Sequence, residues 1–403
     1  MTRLPEQDVD SHFAVKTTRF FMRMIGMWHV EKYRDKVIGN IGLAVFTLIM
    51  ITVGIIQCME VNYYCNKFKE LTTTMPLAAV GMTELFKFTG FLIRRNEIIQ
   101  LNAYTENKFW KIKYNERDIK VLNDCNRLIM SFYPIFIGIV YTIPTQYTLL
   151  PIREYILSNG TVRILPYRLY FGVDWMENPL YTVAYIEEIL AGYGVSLCAM
   201  ATTSFLFTIN IYAAGQFRIL QNQFTEFCSD ITIFNNNFRL SEIHMKLKQL
   251  IGKHQLLLSY IYRIENLYNY FLLLQSFGIV LAMCFSGFGV LMVTGLLKKK
   301  VVANALFVIG CAIQLYLFSL SCQVIIDESA AIQEAIYSAN WYSIFHTLEG
   351  KKICRSLQII MIRCLRPCKL TVGKFTPMSL QTFASVLKTS LSYFTVLRSS
   401  NQD

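Results

Sequence analysis

Five stretches of the chain, residues 37–59, 128–150, 189–214, 267–297 and 301–326, contain no Asp, Glu, Lys or Arg. Each exceeds the roughly 20 residues that an α-helix needs to cross about 30 Å of hydrocarbon. A backbone amide finds no water in that medium, so spanning segments are helices or closed barrels, and runs this long are not barrel strands. A sixth stretch, 71–93, is interrupted only by Glu84 and Lys87. These lie one helical turn apart and are able to pair, and the apolar flanks then place the stretch in the membrane.

Residues 375–398 are more polar, and their pattern matters more than their average. At 100° per residue, Gln381, Thr382, Ser385, Lys388, Thr389, Ser392 and Thr395 fall within about 140° of one another. Phe383, Val386, Leu387, Leu391, Phe394 and Leu397 take the other face. The pattern predicts a seventh helix with one side toward water. Composition agrees with lipid as the main solvent: 54% of the 403 residues are apolar and 16% are charged, against about 25% charged in an average soluble protein.

The distribution of Lys and Arg sets the orientation. Twenty-eight occupy residues 1–36, 94–127, 218–263 and 351–374, nine occupy the alternate segments, and Lys87 and Lys388 lie within spans. The N-terminus is therefore expected in the cytoplasm and the C-terminus outside. The net charge of +12 reports this one-sided bias and argues against a nucleic-acid partner. The one glycosylation sequon, Asn159-Gly160-Thr161, falls in a loop placed outside, which makes Asn159 a candidate acceptor. Residues 1–36 lack the apolar core and cleavage site of a signal peptide, so the first span is expected to act as its own insertion signal.

The fold expected is thus an all-α membrane protein with seven transmembrane helices. Its parts are a cytoplasmic segment 1–36, six helices with connecting loops over 37–326, a cytoplasmic helical anchor 327–374, a last helix over 375–398 and an extracellular tail 399–403. The segments 94–127, 215–266 and 327–374 carry helix-like spacing and read as extensions below the membrane. Two apolar stripes in the anchor, Ala330, Ile332, Ala335, Ile336 and Trp341, then Ile353, Leu357, Ile360, Met361 and Leu365, need partners. Packing within the chain and a subunit interface both supply them.

Eleven scattered cysteines without paired spacing read as reduced, mostly buried thiols, with no metal site and no cofactor. No HExxH, GxSxG or phosphate-cradling glycine loop occurs, and the five histidines are dispersed, with His244 and His254 expected to be solvated. Catalysis is not expected. A G-protein-coupled receptor has the opposite orientation, and the third span ends in Tyr147-Thr148-Leu149-Leu150 instead of an acidic-arginine-aromatic triplet. A secondary carrier calls for internal repeats, and Pro134 and Pro144 in the third span have no counterpart in the other half.

The stretch Lys374-Phe375-Thr376-Pro377-Met378-Ser379-Leu380-Gln381-Thr382-Phe383, continued by Val386-Leu387-Lys388-Thr389-Ser390-Leu391-Ser392-Tyr393-Phe394-Thr395-Val396-Leu397-Arg398, resembles the ending of insect odorant receptors. Ala335-Ile336-Tyr337 with Trp341, Arg363 with Pro367, and Leu165-Pro166 with Pro179 and Tyr181 add to the resemblance. It implies a ligand-gated, non-selective cation channel of the plasma membrane of olfactory sensory neurons. A tuning subunit would assemble there with a shared co-receptor subunit into a tetramer. Only about 50 residues separate the fourth and fifth spans, without the long insertion of the co-receptor, so the resemblance is to a tuning subunit.

By the same resemblance the last helix lines the pore, with Val396 at the gate and Ser385, Lys388, Thr389, Ser392 and Thr395 along the stripe. Lys388 departs from what a cation pore favours and is expected to face a wide inner vestibule. The resemblance further implies a pocket for a small volatile molecule between the outer halves of spans two, three, four and six. Candidate contacts there are Met75, Met82, Gly138, Tyr141, Thr142, Thr145, Tyr193, Ser196, Met200, Phe307 and Gln314.

Overall fold

In the computed structural model the chain is helical almost throughout, and the structure describes residues 9–28, 33–66, 68–161, 163–167, 179–233, 240–292, 298–339, 341–345 and 347–399. The helices are α1 (Phe13–Met24), α2 (Tyr33–Tyr64), α3 (Phe68–Ile93), α4 (Arg95–Thr105), α5 (Glu116–Leu157), α6 (Leu180–Ile233), α7 (Leu240–Met292), α8 (Lys298–Tyr337), α9 (Leu348–Cys364) and α10 (Leu380–Ser399). A short antiparallel hairpin, β1 (Thr371–Val372) with β2 (Thr376–Pro377), precedes α10. The fold is all-α with seven membrane-crossing helices. Six of these, α2, α3, α5, α6, α7 and α8, are long and apolar enough to cross by length and composition, and α10 is the more polar seventh.

The 54 residues of α6 and 53 of α7 correspond to about 80 Å each at 1.5 Å per residue. Both therefore run far past the hydrocarbon into the basic, cytoplasmic side, as their spacing predicts. Prolines lie inside two other spanning helices without ending them: Pro76 in α3, which the sequence reading passed over, and Pro134, Pro144 and Pro151 in α5. A proline removes the bond to the carbonyl four residues back. At Pro144 that carbonyl is Val140 O, and Ser196 Oγ of α6 donates to it at 3.3 Å. The repair ties two helices together where water cannot make it.

Lys87 is the polar centre of the bundle. Its Nζ lies 2.6 Å from Glu84 Oε1, with both side chains buried. The ammonium also donates to Gln275 Oε1 of α7 and, at 3.4 Å, to Thr202 Oγ1 of α6. The pair expected from spacing alone is thus a node joining α3, α6 and α7.

The N-terminal segment is more than a tail. α1 buries Ala14, Val15, Thr18, Phe21 and Met22, and Thr18 Oγ1 meets Tyr133 Oη and Thr208 Oγ1, each at 2.8 Å. His12 Nδ1 lies 2.7 Å from Tyr212 Oη. Arg19 pairs with Glu106 at 2.8 Å and with Asp10, and stacks over Trp28, whose ring lies parallel to Trp110 at 6.1 Å.

The cytoplasmic base corrects several expectations. Ile332, Ile336, Ile353, Leu357 and Ile360 are buried inside the chain, so packing within the chain accounts for most of both stripes. Leu365, the end of the second stripe, is instead exposed, and Leu348, Ile359 and Ile362, outside either stripe, are exposed with it. His254 is buried beside Cys364 Sγ at 3.8 Å, whereas His244 is part-exposed and meets Glu349 Oε2 at 3.0 Å. Lys352 and His244 hold the Glu349 carboxyl below its ordinary range by hydrogen bonding to it. All eleven cysteines are free thiols, eight of them buried.

The last helix also begins later than expected. Residues 375–379 belong to the hairpin and its exit, because Gly373 and Lys374 adopt positive φ of 58° and 66° and Gly373 N donates to Asn269 O of α7 at 2.9 Å. A Cβ on Gly373 would stand 2.8 Å from Leu273 Cδ2, so a larger residue at this positive φ would be strained and would displace the Leu273 side chain. The packed line of α10 is the half-buried Phe383 and Val386 and the buried Ser390, with Cys284 Sγ donating to Ser390 O at 3.6 Å. Leu391, expected on the packed face, is 64% exposed.

Replacing Lys87 by Met strands the Glu84 carboxyl among apolar neighbours. We expect a loss of about 3–5 kcal/mol, seen as a lower melting temperature of the purified chain, and recovery of most of it in the double variant Glu84→Gln/Lys87→Met.

Candidate functional site

Between the outer halves of five helices lies a cavity of about 950 Å³. Its walls follow helical periodicity. α6 presents Glu188, Gly192, Ser196 and Ala199 at spacings of four and three, and α8 presents Asn304, Phe307, Cys311 and Gln314. α3 contributes Thr74, Leu77, Ala78 and Gly81, and α5 contributes Ile139, Ile143, Pro144 and Tyr147. α2 adds Val53, Ile56, Gln57 and Glu60, and residues 164–167 close the outer side. Such repeats put one face of each helix against one space.

Small residues open this space. A Cβ on Gly192 would lie 2.5 Å from Tyr167 Oη, and one on Gly310 would lie 2.9 Å from Ile139 Cγ2. Gly192 thereby lets Tyr167 lie flat over α6, where its ring stacks on Tyr147 at 5.0 Å. The roof is held by Glu188, whose Oε2 accepts from Tyr167 N at 2.6 Å. Tyr181 and Tyr185 pin the surroundings by donating to Ile164 O at 3.0 Å and Thr148 O at 2.8 Å. Leu165 and Pro166, singled out in the sequence, are part of this roof.

The inner end is polar and fully bonded. Gln314 Nε2 donates to Thr203 Oγ1 at 3.1 Å, and Gln314 Oε1 accepts from Gln275 Nε2 at 3.2 Å. Gln275 in turn accepts from Lys87. A ligand touching Gln314 therefore touches the network that joins α3, α6, α7 and α8. At the other end Glu188 is 1% exposed and its Oε1 has no hydrogen-bond partner, a state that costs about 1–3 kcal/mol for an ordinary buried acceptor.

Of the side chains expected at a pocket, Ser196, Phe307 and Gln314 line this cavity. Tyr141, Thr145 and Tyr193 form a neighbouring α5–α6 seam: Tyr141 stacks on Tyr193 at 6.3 Å, and Tyr193 Oη lies 2.9 Å from Thr145 Oγ1. Met200 is buried in the core. Gly138 and Thr142 are exposed on α5, with the Thr142 hydroxyl returned to Gly138 O at 2.6 Å. Met75 and Met82 are half-buried on α3, outside the lining.

Sequence reasoning missed Gln57, Glu187, Glu188, Gly192, Tyr147 and Tyr167. Glu187 and Glu188 were lost because the fourth span was bounded by its uncharged run, which begins one residue later. Steps of four residues back from Ser196 reach Gly192 and Glu188, and that periodicity was a usable signal.

Along α10, Gln381, Ser385, Lys388, Thr389, Ser392 and Thr395 are all exposed. Ser385 and Thr389 return their hydroxyls to Gln381 O at 3.0 Å and Ser385 O at 2.9 Å, and Thr395 to Ser392 O at 2.7 Å. The side chain of Val396 lies outside the described residues. α8 links this helix to the cavity: Tyr316, just beyond Gln314, packs edge-on against Phe383 at 5.7 Å. Gln323 Oε1 accepts from Leu380 N at 3.4 Å. Asn159 is exposed in the turn after α5.

Comparison with known proteins places this geometry. The model of the family described as 7tm Odorant receptor matches residues 67–391. The chain is 23% identical over 364 residues to odorant receptor 13a of Drosophila melanogaster, covering 87% of this chain and 86% of that one. It is 27% identical over 238 residues to odorant receptor 10 of Aedes albopictus, covering 59% and 60%. The fold matches the insect olfactory receptor OR5 from Machilis hrabei at a TM-score of 0.80 and 15% identity, over 95% of this chain and 97% of that one. The structure of that receptor in complex with eugenol matches at 0.77 and 17% identity, over 96% and 97%.

Replacing Gly192 by Val forces Tyr167 off the roof. We expect a destabilisation of about 1–3 kcal/mol from overpacking. Modification of the cavity thiol Cys311 by a small alkylating reagent should quicken at the same time, as read by peptide mass spectrometry.

Proposed function

Because the chain belongs to the 7tm Odorant receptor family, a family of receptors and not of enzymes, we propose that it is the odorant-tuning subunit of a ligand-gated, non-selective cation channel. In this reading a small volatile molecule occupies the cavity between α2, α3, α5, α6 and α8, and the polar stripe of α10 faces the ion path. The observation that carries the proposal is the path through α8. One helix lines the cavity at Phe307 and Gln314 and holds α10 at Phe383 and Leu380. A ligand that shifts α8 therefore acts on α10 within a few turns of the same helix.

Energetically the ligand must bind the open arrangement more tightly than the closed one. Moving an equilibrium from 1:99 to 99:1 needs about 5.5 kcal/mol of such difference, a large demand on one small molecule. A pre-bonded inner end helps, because contact with Gln314 is contact with groups on four helices. The eugenol-bound relative supports a small aromatic volatile as the kind of molecule the cavity takes, with Ser196, Phe307 and Gln314 among its contacts. Tyr141, Thr145 and Tyr193 would then support the wall.

Among the described residues the exposed stripe of Ser385, Thr389, Ser392 and Thr395 has no partner beyond local carbonyls, which suits a water-filled path shared between subunits. Val396 is assigned the gate near its outer end, and Lys388 the inner vestibule. The exposed Leu348, Ile359, Ile362 and Leu365 at the cytoplasmic base suit contact with neighbouring subunits, a co-receptor among them, in a tetramer. The N-terminus lies inside, and the chain acts in the plasma membrane of olfactory sensory neurons, with Asn159 glycosylated on the outer side.

Co-expression with an insect co-receptor in a non-insect cell, with membrane current recorded under a panel of volatiles, tests the proposal. Odour-dependent cation current requiring both chains is expected, and its absence from pairs shown to reach the surface overturns the channel reading. In the same system Val396→Ser should raise the resting leak and Val396→Lys should lower cation conductance. Unchanged leak and conductance in both would move the gate elsewhere.

A further inference from the structure

The outer end of the cavity is chemically unlike the remainder. α2 runs outward and ends its lining at Glu60, while α6 runs inward and begins its lining at Glu187 and Glu188. Three carboxyl groups therefore gather at one end, and Glu188 lies within electrostatic reach of both others. Deeper in, Ile139, Ile143, Phe307, Gly310 and Cys311 make the lining apolar. Arg153 is the one cation in the described lining, and it is exposed at the mouth.

Structure alone does not call for an acid at 188. Its Oε2 holds the roof by accepting from Tyr167 N, and the carbonyl oxygen of a glutamine would do the same. The second oxygen, Oε1, is buried and has no hydrogen-bond partner, on a residue that lines the cavity; Glu187 Oε1 is likewise without one. Clustered carboxyls in a place poor in water repel one another, and buried acceptors without donors are unstable. A ligand that brings positive charge and several N–H donors removes both costs at once.

We propose that the cavity takes a ligand with a basic amine head, seated as an ammonium ion at Glu188 and Glu187 with Glu60 nearby, and with its apolar body directed toward Phe307 and Cys311. This rests on the reading of the cavity as the odorant site and specifies the class of odorant. Neutral alcohols of the same skeleton can donate one hydrogen bond to Glu188 but bring no charge, so the acid cluster discriminates against them.

The test is equilibrium binding to the purified full chain in lipid nanodiscs, which needs no channel current. Three amines, 2-phenylethylamine, hexylamine and isoamylamine, are compared with 2-phenylethanol, hexanol and isoamyl alcohol. At least one amine should bind on the order of tenfold or more tightly than its alcohol, the size of one charge-assisted hydrogen bond. Glu188→Gln should remove that preference, the amine losing more affinity than its alcohol, which gives up only one hydrogen bond to the carboxylate. If this variant is not monodisperse, Glu187→Gln, which alters a part-exposed side chain, should reduce the preference instead. No preference in any of the three pairs, or a preference that survives in the folded variants, overturns the proposal. Amine-selective binding without odour-gated current would sink the channel reading and leave this one standing. Current evoked by neutral volatiles with no amine preference in binding would do the reverse.

Discussion

In hydrocarbon a peptide group has nothing to bond except another peptide group, and that constraint governs this molecule from end to end. It makes each crossing a helix, and α6 then continues past the hydrocarbon to a length of about 80 Å, its cytoplasmic part buried in the base. It also removes the usual reason for helices to associate, since lipid tails are as apolar as leucine. What remains is close packing and a small number of buried polar encounters. The Lys87–Glu84 pair, with Gln275, Thr202 and Gln314 attached, is the largest of these among the described residues. Ser196 on the carbonyl freed by Pro144 is another. Each joins helices where a missing partner would be expensive, so each constrains how the helices can sit.

The cavity follows from the same economy. Where glycines let side chains cross at close range, as at Gly192 under Tyr167 and Gly310 against Ile139, the helices and loop can bend around a space without leaving gaps elsewhere. The space is dressed differently at its two ends. Inward, every polar atom of Gln314 is engaged, so a ligand meets a surface already coupled to four helices. Outward, Glu188 has an oxygen to spare. A site finished at one end and incomplete at the other suits reversible occupancy by something small with an apolar body and a polar head.

Below the membrane the logic reverts to that of a soluble protein. α1, the extensions of α6 and α7, and α9 bury a contiguous apolar core that includes Met22, Trp28, Trp110, Phe217, Phe224, Ile336 and Leu357. The base is thus a folded body, and the hairpin beside Asn269 and Glu265 fastens the start of α10 to it. α10 is held at its inner end by this base, along one side by Phe383, Val386 and Ser390, and is open on its polar side. A helix secured on one face and exposed on the other is suited to move against neighbours, whereas the six apolar helices behind it are committed to the bundle.

Much of this was legible in the residues themselves. Uncharged runs report the energetic cost of putting charge in lipid, so six spans and their sidedness could be read directly, as could the Glu84–Lys87 pair and the polar stripe of α10, which depend only on spacing along one helix. What depends on neighbours could not be read. Periodicity shows that Ile353, Leu357 and Ile360 share a face but not that α7 and α8 cover it, and it gives no hint that α1 packs into the base or that His254 is buried. The family resemblance put both Ser196 and Tyr193, three residues apart on one helix, near a ligand; only the packing of α5 puts one in the cavity lining and the other in a seam. Sequence alone determined which segments are helices and which way they cross, because those depend on each segment's own free energy in lipid. The tertiary structure decided where the empty space lies and which side chains face it, because a cavity is a property of what several helices fail to fill together.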